Sequence, residues 1–167
     1  MTKKFFHRQR SQIISILLMI VVFMLLNSHS VEAAFLTVES DLEPGEEVYD
    51  DLFLQGSEVL VAGHVHGMLF VIGEKIVIQS GAQIDNDVYL LGKSVFIAEK
   101  AILQGNLVVA AQNVIVEAPV NLNMAVASGT LDLGSATNIG RNLFFAGFHF
   151  SQENGSTVHN NLYAACY

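Results

Sequence analysis

The chain has one cysteine, two prolines and no tryptophan in 167 residues, and only 14% of it is charged. A single cysteine forms no internal disulfide, so stability has to come from a buried core rather than from cross-links. Neither proline, Pro44 nor Pro119, falls inside an alternating apolar segment, so no strand loses a central ladder hydrogen bond to one. Basic residues are scarce, eight Lys and Arg against sixteen Asp and Glu. Four of the eight, Lys3, Lys4, Arg8 and Arg10, lie in the segment 1–33 together with one acid, Glu32. Beyond them Lys75, Lys93, Lys100 and Arg141 face fifteen acids, a net charge of −11 with histidines neutral. Such a surface disfavours nucleic acid as a partner. The sequence also lacks a Gly-rich phosphate loop, a nucleophile elbow and a plausible Cys-His pair, which removes the commonest routes to nucleotide chemistry and covalent hydrolysis.

Residues 1–33 differ in kind from the rest. A basic start is followed by the apolar run Ile13–Leu26, broken only by Ser15, and then by the small residues around Val31–Ala33. This is the pattern of a signal peptide cut between Ala33 and Ala34, and it predicts an exported, extracytoplasmic protein at the cell envelope. The apolar run is shorter than the roughly 20 residues that span a bilayer. An uncleaved anchor built from Met1–Leu26 is the alternative. Residues 34–47 follow as an acidic leader and cap. Its carboxylates at Glu39, Asp41, Glu43, Glu46 and Glu47 match no calcium-loop spacing.

What the remaining chain does have is a repeat. Seven units open on an aliphatic residue, Val48, Val65, Ile84, Leu103, Val120, Ile139 and Val158. Each runs through two variable residues and a third that is usually Asp or Asn into a hydrophobic triplet, and reaches a small residue soon after it. The numbering advances from one opening to the next by 17, 19, 19, 17, 19 and 19, a period that marks a solenoid. Within each unit apolar positions alternate, as at Leu52/Leu54 and again at Val59/Val61, so each unit holds two strands and a short third one at its opening residue. The expected fold is all-β, a single-domain parallel β-helix of about seven coils over residues 48–167, with Gly or Asn at corners where a positive φ is cheap. Coils stacked at about 4.8 Å make a rod about 30 Å long. Cys166 occupies the corner that holds Gly56, Gly73, Gly92, Ala111, Ser128 and Gly147 in the other units, and reads as a small residue in a tight space.

The first triplet residue, Leu52, Leu69, Val88, Leu107, Met124, Leu143 or Leu162, is apolar in every unit and should line the core. The next points outward, yet Phe53, Phe70, Tyr89, Phe144 and Tyr163 are aromatic there, which predicts a self-association or contact stripe. The residue just before the triplet is Asp51, Asp87, Asn106, Asn123, Asn142 or Asn161, with Met68 the exception, and a row of short amides and acids at one corner predicts hydrogen-bonded turn ladders. No catalytic cluster emerges. Asp85 and Asp87 share a strand face and could pair, but neighbouring units supply His66/Met68 and Gln104/Asn106 instead of further acids. His64 and His66 lie on one side of an extended segment and offer two nitrogens, while two ligands do not close a zinc site. The expectation is therefore no enzyme, no cofactor and no metal. A hexapeptide-repeat acyltransferase is excluded by the 17/19 alternation and the lack of a long loop.

The units Asp50–Val61 (DDLFLQGSEVLV), Asn86–Ile97 (NDVYLLGKSVFI) and Arg141–Gly147 (RNLFFAG) resemble the repeats of the bactofilin family of polymer-forming bacterial cytoskeletal proteins. The likeness spans roughly Val48–Tyr167. It implies a right-handed β-helix that joins end to end into filaments without nucleotide, beside the membrane and cell wall, and it carries over no catalytic residues. The export signal departs from that family and points to an exported relative. The sequence stops inside the seventh unit, which leaves an end that either docks on another copy or belongs to a longer protein. The expected role is a structural scaffold, a homopolymer formed through coil ends with membrane or cell-wall contact. The alternative is a surface module that binds carbohydrate or protein on its Phe/Tyr row.

Overall fold

In the computed structural model the described residues are 41–166, and the leader with its Ala33/Ala34 cleavage site lies outside them. They form fourteen strands: β1 (Asp41–Leu42), β2 (Glu47–Val48), β3 (Leu52–Val61), β4 (His64–Val65), β5 (Leu69–Ile78), β6 (Gln83–Ile84), β7 (Val88–Ile97), β8 (Ile102–Leu103), β9 (Leu107–Val116), β10 (Met124–Leu133), β11 (Asn138–Ile139), β12 (Leu143–Gln152), β13 (Thr157–Val158) and β14 (Leu162–Cys166). All pairings are parallel. The long strands, with the two-residue β1 at one edge, make one eight-stranded sheet in the order β1-β3-β5-β7-β9-β10-β12-β14. The other two-residue strands stack on another side, β2-β4-β6-β8 and β11-β13, with Val120 bridging Leu103 and Ile139 between them. This is a parallel β-solenoid of about seven turns.

The repeat fixes the register. Leu52 pairs with Leu69, Leu69 with Val88, Val88 with Leu107, Leu107 with Met124, Met124 with Leu143 and Leu143 with Leu162, one unit apart each time. The longer coils close their corner with a β-turn, seen in the bonds from Glu46 N to Glu43 O, Ala82 N to Gln79 O, Ala101 N to Ala98 O, Thr137 N to Gly134 O and Ser156 N to Glu153 O. The two shorter coils, Val48 to Val65 and Leu103 to Val120, lack this turn and are shorter by its two central positions. At the first of them Ala62-Gly63 leads straight into His64, and Gly63 has no room for a side chain because an added Cβ would sit 2.5 Å from Glu46 O.

Three details differ from the sequence-based picture. The two strands expected per unit are one continuous long strand, because pairing persists through the bend and skips a single position there, as between Gly56↔Gly73 and Glu58↔Lys75. The corner glycines are also explained differently. Positive φ occurs at Gly45, Gly81 and Gly155, all in the β-turns, and not in the Gly56/Gly73/Gly92/Gly147 column. That column is small because coils approach closely: a Cβ on Gly92 would lie 2.4 Å from Gly73 O, and one on Gly147 1.9 Å from Ser128 O. Finally, the ladder begins before Val48. Leu42 is buried against the first coil, and Asp41 Oδ1 accepts the Leu60 amide at 2.8 Å, satisfying a donor on the sheet edge.

Inward positions form one continuous hydrophobic cluster along the axis, from Leu42 through Leu69, Val88, Leu107 and Met124 to Leu143. In the sixth coil Phe145 and Phe150 replace the aliphatic residues of other coils and pack at 5.6 Å, so the bulkiest core side chains sit there. Among the described residues no helix is long and apolar enough to cross a membrane.

Candidate functional site

Three features of the coil surface gather polar or aromatic side chains: a corner ladder, an apolar face and a histidine-carboxylate cluster. The ladder lies where the sequence placed it. Asp87 Oδ1 accepts Asn106 N and Nδ2 at 2.8 and 2.9 Å. Asn106 Oδ1 accepts Asn123 N and Nδ2 at 3.1 and 2.9 Å, Asn123 Oδ1 accepts Asn142 N and Nδ2 at 3.3 and 3.0 Å, and Asn142 Oδ1 accepts Asn161 Nδ2 at 3.1 Å. Met68 breaks the row, and its backbone N–H instead donates to Asp51 Oδ1 at 2.7 Å. Asp87 therefore belongs to the ladder and Asp85 to another cluster, so the two carboxylates do not pair.

The aromatic row points outward from the large sheet. Phe53 stacks on Phe70 at 5.3 Å, Phe70 on Tyr89 at 4.7 Å, and Phe144 on Tyr163 at 5.1 Å, because parallel register sets like residues one coil apart. Val108 and Ala125 interrupt the row, and the short side chains there help leave a shallow apolar groove of about 740 Å³ flanked by Phe144 and Tyr163. The next outward column adds Ile72 and Leu91, both about half exposed. This contiguous apolar face needs a covering partner more than scattered surface residues do.

The third cluster is assembled by register across three coils. Pairing of β4 with β6 places His64 beside Gln83 and Val65 beside Ile84, which brings His66 beside Asp85 at the next position. Asp85 Oδ2 lies 3.0 Å from His64 Nε2 and 2.9 Å from His66 Nδ1. On the other side of His66, Tyr49 stacks on its ring at 4.6 Å with an interplanar angle of 12°. The Tyr49 hydroxyl donates to Glu47 Oε2 at 2.5 Å, and that oxygen is 3.9 Å from His66 Nε2. Hydrogen bonding to His64 first, and to His66 with it, holds the Asp85 carboxyl below its ordinary range. The Tyr49 hydrogen bond does the same for Glu47, and the Glu47 carboxylate raises the Tyr49 phenol in return.

The sequence reading had both histidines and Asp85 but assigned them to separate ideas. The signal that joins them is the longer coil step: advancing by it from His66 gives Asp85. Tyr49 and Glu47 were missed because the shorter coil step, and not the longer one, carries Tyr49 to His66 and Glu47 to His64. His149 and His159, the remaining described histidines, contribute to no such group. Comparison with protein family models, with curated proteins and with solved structures finds no match to this chain.

Proposed function

We propose that the protein is a non-enzymatic structural scaffold that self-associates through the ends of its β-helix into polymers at the cell envelope, in the manner of an exported bactofilin-like protein with a right-handed coil. One observation supports this reading above the others. Each coil receives the next in the same parallel register, like residue upon like, so the edge of any terminal coil is a template for a further coil of the same kind. Among the described residues β14 pairs with β12 alone, and its Leu162 is 44% exposed, whereas its counterparts Leu69, Leu107 and Leu143 are fully buried.

A second reading rests on the stacked outer row. Phe53, Phe70 and Tyr89 stack face on face and turn a continuous row of apolar ring edges outward, a surface for a carbohydrate or a partner protein to pack against. Negative-stain electron microscopy of the purified full-length chain over a range of salt and concentration separates the two. The scaffold reading expects filaments or sheets about one coil-stack wide, lost on Leu162→Asp and retained when Phe53, Phe70 and Tyr89 become Ser. Monodisperse particles under every condition would sink it and leave the surface-binding reading, which expects ligand capture to vanish with the triple Ser variant.

A further inference from the structure

We infer that His64, His66 and Asp85 form a binding site for a divalent transition-metal ion, with Zn²⁺ the best-suited occupant and Glu47 as the outer partner of His66. This inference is independent of the assembly reading.

The argument starts from an imbalance in the hydrogen bonding. One oxygen, Asp85 Oδ2, faces two imidazole nitrogens at 3.0 and 2.9 Å. A neutral imidazole carries one proton, so if His66 donates from Nδ1 to Asp85 its Nε2 presents a bare lone pair. That Nε2 is buried, has no hydrogen-bond partner, and its nearest charged neighbour is another acceptor, Glu47 Oε2, at 3.9 Å. A buried polar atom left in this way is costly and calls for an explanation.

A cation among the three side chains resolves it. The ion takes the lone pairs of His64 Nε2, His66 Nδ1 and an Asp85 oxygen. The single proton of His66 then sits on Nε2, where it points towards Glu47. Such a carboxylate behind a ligating imidazole fixes the tautomer and orients the ring. Glu47 is already held by the Tyr49 hydroxyl, and the His66 ring already lies flat against Tyr49. The dimensions fit. One ligand atom from each of the three residues lies within 4.8 Å of the others. Tetrahedral bonds of about 2.0–2.1 Å place ligand atoms roughly 3.3 Å apart, so the two close pairs need to open by only a few tenths of an ångström. Two imidazoles and one carboxylate suit Zn²⁺, Cu²⁺ or Ni²⁺ and not the all-oxygen preferences of Ca²⁺ or Mg²⁺. Asp85 is exposed, so the fourth position opens to solvent for water or an external donor. The ion would tie the second coil, which holds both histidines, to the third, with Glu47 and Tyr49 buttressing it from the first.

The test is calorimetric titration of the full-length chain with ZnCl₂, paired with the visible absorption spectrum of the Co²⁺-loaded chain. One ion per chain is expected, with ligand-field bands of a four-coordinate nitrogen-oxygen site and no competition from Mg²⁺. His64→Ala, His66→Ala and Asp85→Asn should each weaken Zn²⁺ at least tenfold. Glu47→Gln should keep the stoichiometry and weaken binding by roughly 10- to 100-fold. The double variant His149→Ala/His159→Ala should bind like the parent. Absence of stoichiometric binding by the parent, undiminished binding by the His64 and His66 variants, or six-coordinate all-oxygen Co²⁺ bands would each overturn the inference. The Co²⁺ spectrum of the parent decides the matter even if a ligand variant fails to fold.

Discussion

Replacing Asn123 by alanine removes three hydrogen bonds at the centre of the corner ladder, and the rest of the column supplies its own control. Asn123 donates Nδ2 to Asn106 Oδ1 at 2.9 Å and accepts Asn142 Nδ2 and N at 3.0 and 3.3 Å. Each is worth about 1 kcal/mol net, the last less because it is long, and the Asn142 amide loses its acceptor. Asn142 is half-buried, so water offsets part of that loss. The total comes to about 2–3 kcal/mol. Asn161→Ala removes a single bond at 3.1 Å from an exposed side chain and should cost about 0.5–1 kcal/mol. The expected gap of about 2 kcal/mol corresponds to roughly 6–10 °C in melting temperature for a folded unit of this size. Urea unfolding followed by circular dichroism, with thermal melts alongside, reads both quantities. If the two variants agree within about 0.5 kcal/mol, the amides exchange freely with water and the ladder contributes register but not stability.

Two further outcomes follow from the core and the corner. Leu107→Ala, in the middle of the stack and fully buried, should cost about 2–5 kcal/mol because coils on both sides hold the cavity open, while Leu162→Ala should cost well under half of that; equal losses in denaturant titration would contradict the packing described. Gly92→Ala forces a Cβ to within 2.4 Å of the Gly73 carbonyl and should destabilise by about 1–3 kcal/mol in the same titration, although its φ is ordinary; a neutral result would mean the coils separate there at little cost.

The solenoid was legible because its cause is periodic. An inward residue must be apolar in every coil, so Leu52, Leu69, Val88, Leu107, Met124, Leu143 and Leu162 announce the stack before any coordinates do, and the Asp/Asn column announces its ladder. The bend was not legible, since a strand that keeps its pairing around a corner has the same alternation as two strands with a break. The glycine column was visible but its reason was not. Composition gives the same signal for positive φ as for backbone contact, and only the placement of Gly73 O against Gly92 separates them. The histidine cluster lay between the two cases. Register brings His66 to Asp85, but whether side chains at the ends of two-residue strands turn towards each other depends on how the shortened Ala62-Gly63 corner directs the chain. The outward direction of the aromatic row follows from alternation alone. Its division by Val108 and Ala125 into two stacked groups gains meaning only when the groove between them is seen.

The asparagine ladder also gives the rod a direction. Each side-chain amide from Asn106 to Asn161 donates towards the N-terminal coils, and those of Asn106, Asn123 and Asn142 accept from the C-terminal side. Their dipoles add, the positive end of the column meets the Asp87 carboxylate, and the negative end is Asn161 Oδ1, an arrangement with the same sense as an anion at a helix N-terminus. Two copies placed tail to tail would oppose acceptor to acceptor at this corner, whereas a copy stacked in the same sense leaves the column unbroken in polarity. Were the chain to polymerise as proposed, the polymer would have unlike ends, and monomers joining one end would meet a different chemistry from those joining the other.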